Sequence, residues 1–272
     1  MTNSVKMLDG NAIPKLGLGV WQASNEQVVS AIHAAFDAGY RLIDTASVYE
    51  NESGVGTAIK SSNLAREDIF VTSKLWNKDQ GNVQKALEKS LTLLELDYLD
   101  CYLIHWPAPS LGQYTNAWKE LIKAQHSGLI KSIGVSNFLP EHIDTLIQQT
   151  GITPVINQIE KHPLFSQQSL SKWCTERDIL VQAWSPLAQG GEGIFERPEV
   201  MAIAAAHQKS PAQVVLRWHI QKNTLVIPKS VTPSRIAENI DVFDFVLTPD
   251  ELKTIDALDK NQRLGPDPLD FV

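Results

Sequence analysis

The sequence predicts a closed (β/α)8 barrel, and three observations carry that prediction. Short apolar runs recur eight times, each followed by a segment with helical spacing. The runs are too uniformly apolar for strands that face water on one side, as parallel strands covered on both faces require. The length, 272 residues, matches the roughly 250 that such a barrel needs.

The eight predicted strands are 16–19, 42–44, 69–73, 99–104, 132–136, 155–158, 180–184 and 225–228. Between them the apolar period lengthens. Val28, Ile32, Ala35 and Phe36 follow helical spacing, and so do Val83, Ala86, Leu87, Ser90, Leu91 and Leu94. Ser24 with Gln27, Ser210-Pro211 with Gln213, and Thr248-Pro249 with Glu251 have the side-chain order of helix capping boxes. Gly39, Gly128 and Gly151 lie just past helical patterns, where a left-handed terminator is wanted. Two segments stand outside the repeat. Residues 5–14, centred on Asp9-Gly10, read as a hairpin plugging the barrel bottom, and residues 265–272 read as an irregular tail over one end. No linker divides the chain, so residues 1–272 read as one domain.

Composition narrows the function. A net charge of −7 argues against nucleic acid or an anionic membrane as partner, so an anionic ligand would need a local cluster of positive charge. No apolar run approaches the roughly 18 residues of a membrane span, and no signal peptide is visible, which makes the cytoplasm the expected compartment. A monomer is the expected state. The two cysteines, Cys101 and Cys174, sit in apolar stretches and read as buried free thiols.

Barrels place their working groups at the C-terminal ends of strands. Those positions hold Asp44-Thr45 with Tyr49 beyond, Lys74, His105-Trp106, Ser136-Asn137, Gln158, Trp184-Ser185 and Lys229-Ser230. Individually, Asp44 would do as a helix cap, Lys74 as a surface charge and His105 as a partly buried imidazole. Convergence on one barrel mouth gives them meaning.

Three stretches resemble the signatures of the aldo-keto reductase family. Residues 39–46 with Tyr49, Asn51, Glu52 and Gly56 resemble the first, residues 131–138 the second, and residues 227–230 with Arg235, Glu238 and Asn239 the third. The likeness covers essentially the whole chain. It implies a catalytic tetrad of Asp44, Tyr49, Lys74 and His105, with Tyr49 giving a proton to the carbonyl oxygen that receives charge after hydride delivery. A free phenol has a pKa of about 10. A neighbouring ammonium, Lys74, is expected to lower it, with Asp44 holding the lysine and His105 orienting the carbonyl.

The resemblance further implies NADPH laid across the barrel mouth. Ser136, Asn137 and Gln158 would face the nicotinamide carboxamide and Trp184 would stack on its ring, where many relatives have Tyr. Thr45, Ser185 and Leu187 complete that end of the implied site. Gly17-Leu18-Gly19 lacks the third glycine of a Rossmann fingerprint, so the dinucleotide is not expected to bind in that way. Lys229, Ser230 and Arg235 form the local basic cluster, Arg235 falling in the first turn after Thr232-Pro233 and suiting a 2′-phosphate. Glu238 and Asn239 match positions that contact adenine.

Trp21, Trp76 and Trp106 follow three strands and suggest an aromatic-walled substrate pocket, while the short tail suggests an open one with broad specificity. Stretches 16–26, 153–160, 184–191 and 263–268 resemble members that reduce 2,5-diketo-D-gluconate to 2-keto-L-gulonate; methylglyoxal and β-keto esters fit the same class. Two rivals stand beside this reading. One is a non-enzymatic NADPH-binding regulatory protein of the same fold. The other is a metal-dependent barrel hydrolase, which would need clustered ligands that these strand ends lack; no metal is expected.

Overall fold

The computed structural model describes residues 4–191 and 193–272. Strands β1 (Ser4–Lys6) and β2 (Ala12–Pro14) pair antiparallel, Val5 opposite Ile13, around a turn in which Gly10 adopts a φ of +93°. Met7 and Ile13 are buried with Leu42, Phe70, Cys101, Leu103, Val155, Ile156, Leu225 and Ile227. Most of these lie at the starts of barrel strands, so the hairpin stoppers the bottom of the barrel as expected. Asn11 ties it down by donating to the Lys131 carbonyl and the Ser132 hydroxyl.

Eight parallel strands follow: β3 (Leu18–Gly19), β4 (Leu42–Asp44), β5 (Phe70–Leu75), β6 (Leu99–Ile104), β7 (Ile130–Ser136), β8 (Ile156–Glu160), β9 (Leu180–Trp184) and β10 (Thr224–Val226). Each pairs with the next in sequence. Parallel bridges from Leu16 to Val226 and from Gly19 to Lys229 join the first to the last and close the ring. Gly17 N–H donates to the Val226 carbonyl at 2.9 Å across that seam.

Helices α1 (Asn25–Asp37), α2 (Glu52–Lys60), α3 (Val83–Leu94), α4 (Tyr114–His126), α5 (Pro140–Thr150) and α6 (Gln168–Thr175) each follow a strand. The expected capping boxes are present at Ser24, Ser210 and Thr248, where each hydroxyl accepts the N3 amide. Gly39, Gly128 and Gly151 all have positive φ, which is how an L-residue chain leaves a helix cheaply. In α3, Val83, Leu87, Ser90, Leu91 and Leu94 are the buried face.

After β9 the chain inserts α7 (Pro198–His207) before α8 (Pro211–Gln221), and α9 (Pro233–Ile240) and α10 (Pro249–Asp256) complete the order. Helix α7 has no counterpart in the eight-unit repeat. Its run of alanines at 202 and 204–206 blurs the apolar period, so only contact reveals its inner face. Val200, Ile203 and Ala204 pack on Val214, Val215, Trp218 and Ile255 in a satellite core beside the barrel.

Gly56 is where α2 meets α3. An added Cβ would lie 2.4 Å from the Leu94 carbonyl oxygen and 2.6 Å from its carbon. Backbone cannot step aside as a flexible side chain can. Gly56→Ala is therefore expected to cost about 1–3 kcal/mol of stability, in the range of overpacking. A shift of the urea midpoint at unchanged m-value measures it.

Candidate active site

The upper rim brings the predicted residues of strands β4 to β9 together. Asp44 ends β4 and Lys74 is next to last in β5; both are fully buried. Lys74 Nζ lies 2.5 Å from Asp44 Oδ1, donates to the Thr45 carbonyl at 2.9 Å and reaches the Tyr49 hydroxyl at 3.5 Å. The ammonium also sits 5.1 Å from the Tyr49 ring centre. The imidazole of His105 packs edge-on against Tyr49, centroids 5.8 Å apart, and against Trp76 at 5.2 Å. All four residues of the expected tetrad thus lie in one contiguous cluster.

Burial sets the electrostatics. For Lys74, desolvation opposes the charge, but Asp44 and Tyr49 outweigh it and hold the ammonium above its usual pKa. For Tyr49, burial is the larger effect and raises the phenol pKa, with Lys74 pulling it back and Asp44 opposing that pull. The expected net lowering by the lysine is therefore not what this pocket produces. At neutral pH the phenol keeps its proton. Burial first, and the Lys74 charge second, push the His105 imidazole well below its ordinary pKa, so it is neutral and acts as a hydrogen-bonding group rather than a cation. Its buried Nδ1 has no hydrogen-bond partner among the described residues.

The Tyr49 hydroxyl is placed by a single 3-10 turn, Ser47–Tyr49, that is pinned on several sides. The Ser47 hydroxyl donates to the Lys74 carbonyl at 3.0 Å. Two residues past Tyr49, the buried Asn51 amide donates to the Val20 and Ala23 carbonyls and accepts from the Thr45 hydroxyl at 2.8 Å. Next, the buried Glu52 carboxylate accepts from Ser73, the neighbour of Lys74, at 2.6 Å. Asn51 and Glu52 belong to the first signature, but their positioning role is not legible in it, because most of their partners, Val20, Ala23 and Ser73, lie in distant segments.

Ser136, Asn137 and Gln158 converge beside this cluster. Ser136 Oγ donates to the Gln158 carbonyl at 2.8 Å, and Asn137 Nδ2 donates to the His105 carbonyl at 3.0 Å. The Trp184 indole N–H donates to Asn137 Oδ1 at 2.8 Å, which fixes the plane of its ring. Gln158 Nε2 gives one hydrogen to Asp44 Oδ2 and one to Gln182 Oε1, both at 2.7 Å, leaving its side-chain Oε1 as the group available to a ligand amide. Gln182 belongs to none of the three signatures. It shares the inward face of β9 with Trp184, and a lone amide in that apolar run was the signal.

The remaining predicted residues follow β4, β9 and β10 in the chain. The Thr45 hydroxyl is committed to Asn51, Ser185 takes a φ of +47° in the turn after β9, and the Leu187 carbonyl accepts from Gly191 at 2.7 Å. Lys229 and Arg235 are exposed, and neither forms an ion pair with a described residue, while Ser230 and Asn239 are buried beside them. Thr232 makes no side-chain cap at α9, so its first amides remain open near Arg235. The Glu238 carboxylate accepts from the Ser210 hydroxyl.

Of the three candidate substrate tryptophans, Trp76 and Trp106 join the pocket. Trp21 is 46% exposed and makes no ring contact with them. The tail closes on the pocket instead of leaving it open: Phe271 packs on Trp106 at 4.5 Å and on Trp76 at 5.9 Å. A phenylalanine one residue from the end of an irregular tail gives no sequence signal of this. Away from the site, Cys101 and Cys174 are buried free thiols, burial pushing Cys174 up to about 11.

A profile of the aldo/keto reductase family matches residues 15–193 and 194–260. The chain belongs to that family. Relatives described as methylglyoxal reductase DkgA, from Salmonella typhimurium and from Escherichia coli, are each 55% identical over 267 residues, covering 98% of this chain and 97% of theirs. Among solved structures, an aldo/keto reductase from Brucella melitensis superposes with a TM-score of 0.90 at 51% identity, covering 94% of this chain and 99% of that one. A variant of Gox0644 in complex with NADPH superposes with a TM-score of 0.93 at 43% identity, covering 97% of both chains.

Proposed function

We propose that this chain is an NADPH-dependent reductase of aldehydes and ketones on small molecules, with methylglyoxal, 2,5-diketo-D-gluconate and β-keto esters as its substrate class. The observation that carries the reading is the buried Asp44–Lys74–Tyr49 chain with His105 beside it.

The exposed cations Lys229 and Arg235, which form no ion pair with a described residue, stand at the start of α9 and suit a 2′-phosphate, which a guanidinium fork and helix amides bind together. Trp184, held flat by Asn137, would stack on the nicotinamide, and Gln158 Oε1 with Ser136 would face its carboxamide. When bound, the cofactor supplies the hydride to the carbonyl carbon. Tyr49 then gives its proton to the carbonyl oxygen, so the substrate gains two hydrogens and leaves as an alcohol. Lys74 stabilises the phenolate that remains, Asp44 keeps Lys74 charged, and neutral His105 orients the carbonyl by a hydrogen bond. Trp76, Trp106 and Phe271 exclude water from the exchange.

The test follows NADPH absorbance with each substrate. Turnover of methylglyoxal and the sugar diketo-acid supports the reading; binding of NADPH without any turnover would favour the regulatory alternative. Cofactor choice is tested separately. Arg235→Ala is expected to raise the KM for NADPH about 10–100-fold, the worth of one charged hydrogen-bonded contact, and to leave NADH nearly unaffected. Equal KM values for both cofactors in the unaltered chain would remove the assignment of this cluster.

A further inference from the structure

Glu160, the last residue of β8, is 1% exposed, and the chemistry proposed above does not use it. Its carboxylate faces the C-terminal tail. Oε1 accepts the Leu264 amide at 2.6 Å and Oε2 accepts the Gly265 amide at 3.0 Å. His162 Nε2 lies 3.1 Å from Oε1 on the barrel side. In the sheet register Glu160 is opposite Trp184. At that point the tail runs so close that a Cβ on Gly265 would fall 2.4 Å from Trp184 Cη2 and 3.0 Å from Glu160 Oε2.

Beyond this grip the chain turns through Asp267, whose carbonyl accepts the Asp270 and Phe271 amides, and delivers the Phe271 ring to Trp106 and Trp76. The Leu164 carbonyl holds the Lys260 and Gln262 amides, the buried Glu160 carboxylate then takes the Leu264 and Gly265 amides, and the end of the tail packs on Trp106 and Trp76. Burial works against the charge of Glu160, but His162 and the two tail amides outweigh it, so the carboxyl titrates below its usual range and stays ionised.

The geometry points to Glu160 as a positioning residue that latches the tail against β8 and β9, and so sets which carbonyl compounds the pocket admits. Glutamate suits the task because two converging N–H groups need two acceptors. An amide at the same place offers one acceptor and turns its own N–H group on the other donor. The specificity part of this inference rests on the reductase reading; the latch itself does not.

Two measurements on Glu160→Gln separate these parts. Amide hydrogen exchange of residues 264–272, followed by mass spectrometry, needs no catalysis and is expected to quicken at least about tenfold. In steady state, the ratio of kcat/KM for a bulky aromatic aldehyde to that for methylglyoxal is expected to rise at least about threefold, through KM, with the KM for NADPH within about twofold of its starting value. Phe271→Ala is expected to shift the ratio in the same direction. Adding Glu160→Gln to Phe271→Ala is then expected to change it little further, since coupled residues are not additive.

Should Glu160→Gln fail to fold, Gly265→Ala loosens the same contact from the tail side and is expected to give the same exchange and the same ratio. Unchanged tail exchange in a folded variant would overturn the latch. Faster exchange with an unchanged ratio, or an undiminished effect in the Phe271→Ala background, would overturn its control of specificity. Absence of turnover in the unaltered chain overturns the reductase reading alone and leaves the exchange result to decide the latch.

Discussion

Tyr49→Phe is expected to lower kcat by about 10²–10⁴-fold, the usual worth of a positioned general acid, while the Kd for NADPH stays nearly unchanged. The change deletes one oxygen from a turn held by Ser47, Asn51 and Glu52, none of which bonds to that oxygen. The fold and the ring contact with His105 should therefore persist, and the loss should fall on chemistry alone. The same residue sets the pH dependence. Because the Tyr49 pKa is raised, the protonated phenol that reduction consumes is present throughout the neutral range. Reductive kcat should be flat there and fall only as the pH rises through that elevated pKa. Neutral His105, its pKa far below ordinary, adds no limb near neutrality. Near-normal turnover in Tyr49→Phe would remove Tyr49 from the role of acid.

Asp44→Asn is expected to cost both stability and activity. Asp44 and Lys74 are 2% and 0% exposed, and removing one charge leaves the other buried without compensation. Breaking such a pair typically costs about 3–5 kcal/mol. The new amide would also turn a donor toward Gln158 Nε2, which now donates to Asp44 Oδ2. Urea unfolding measures the loss, and a shift below about 1 kcal/mol would mean the pair is not the buried ion pair described here. The double variant Asp44→Asn with Lys74→Met removes the orphaned charge and should recover much of the stability while remaining inactive. Stability and catalysis would then part company at one site.

Much of the fold was legible because its signals are local. The strand at 42–44 and the strand at 99–104 coincide with β4 and β6, since apolar runs bounded by turn residues define themselves. The capping boxes at Ser24, Ser210 and Thr248 are settled within four residues of chain. Strand ends were less clear. β5 runs on to Leu75 and β8 to Glu160, because pairing with β6 and β9 carries polar residues along that no apolar run would include. Helix α7 is not legible for the reverse reason, its alanines carrying no period.

The candidate site divides in the same way. Asp44, Lys74 and His105 could be singled out because strand ends of a barrel point to one mouth whatever the loops do. The raised pKa of Tyr49 could not, since the depth of burial around a phenol is a property of the closed pocket, and here it outweighs a lysine within hydrogen-bonding reach. The tail is the clearest case. Periodicity and composition could say only that residues 265–272 are irregular, and shortness suggested an open pocket.

What the order of residues determined by itself was the barrel, its hairpin stopper and the list of polar groups at the strand ends, because each is written in short local patterns, repeated eight times for the barrel. What the tertiary structure alone decided was how those groups are paired and protonated, and that Glu160 and Phe271, 111 positions apart in the chain, bound the pocket through one tail. Pairing and desolvation arise only when distant segments exclude water together, and no local pattern encodes that.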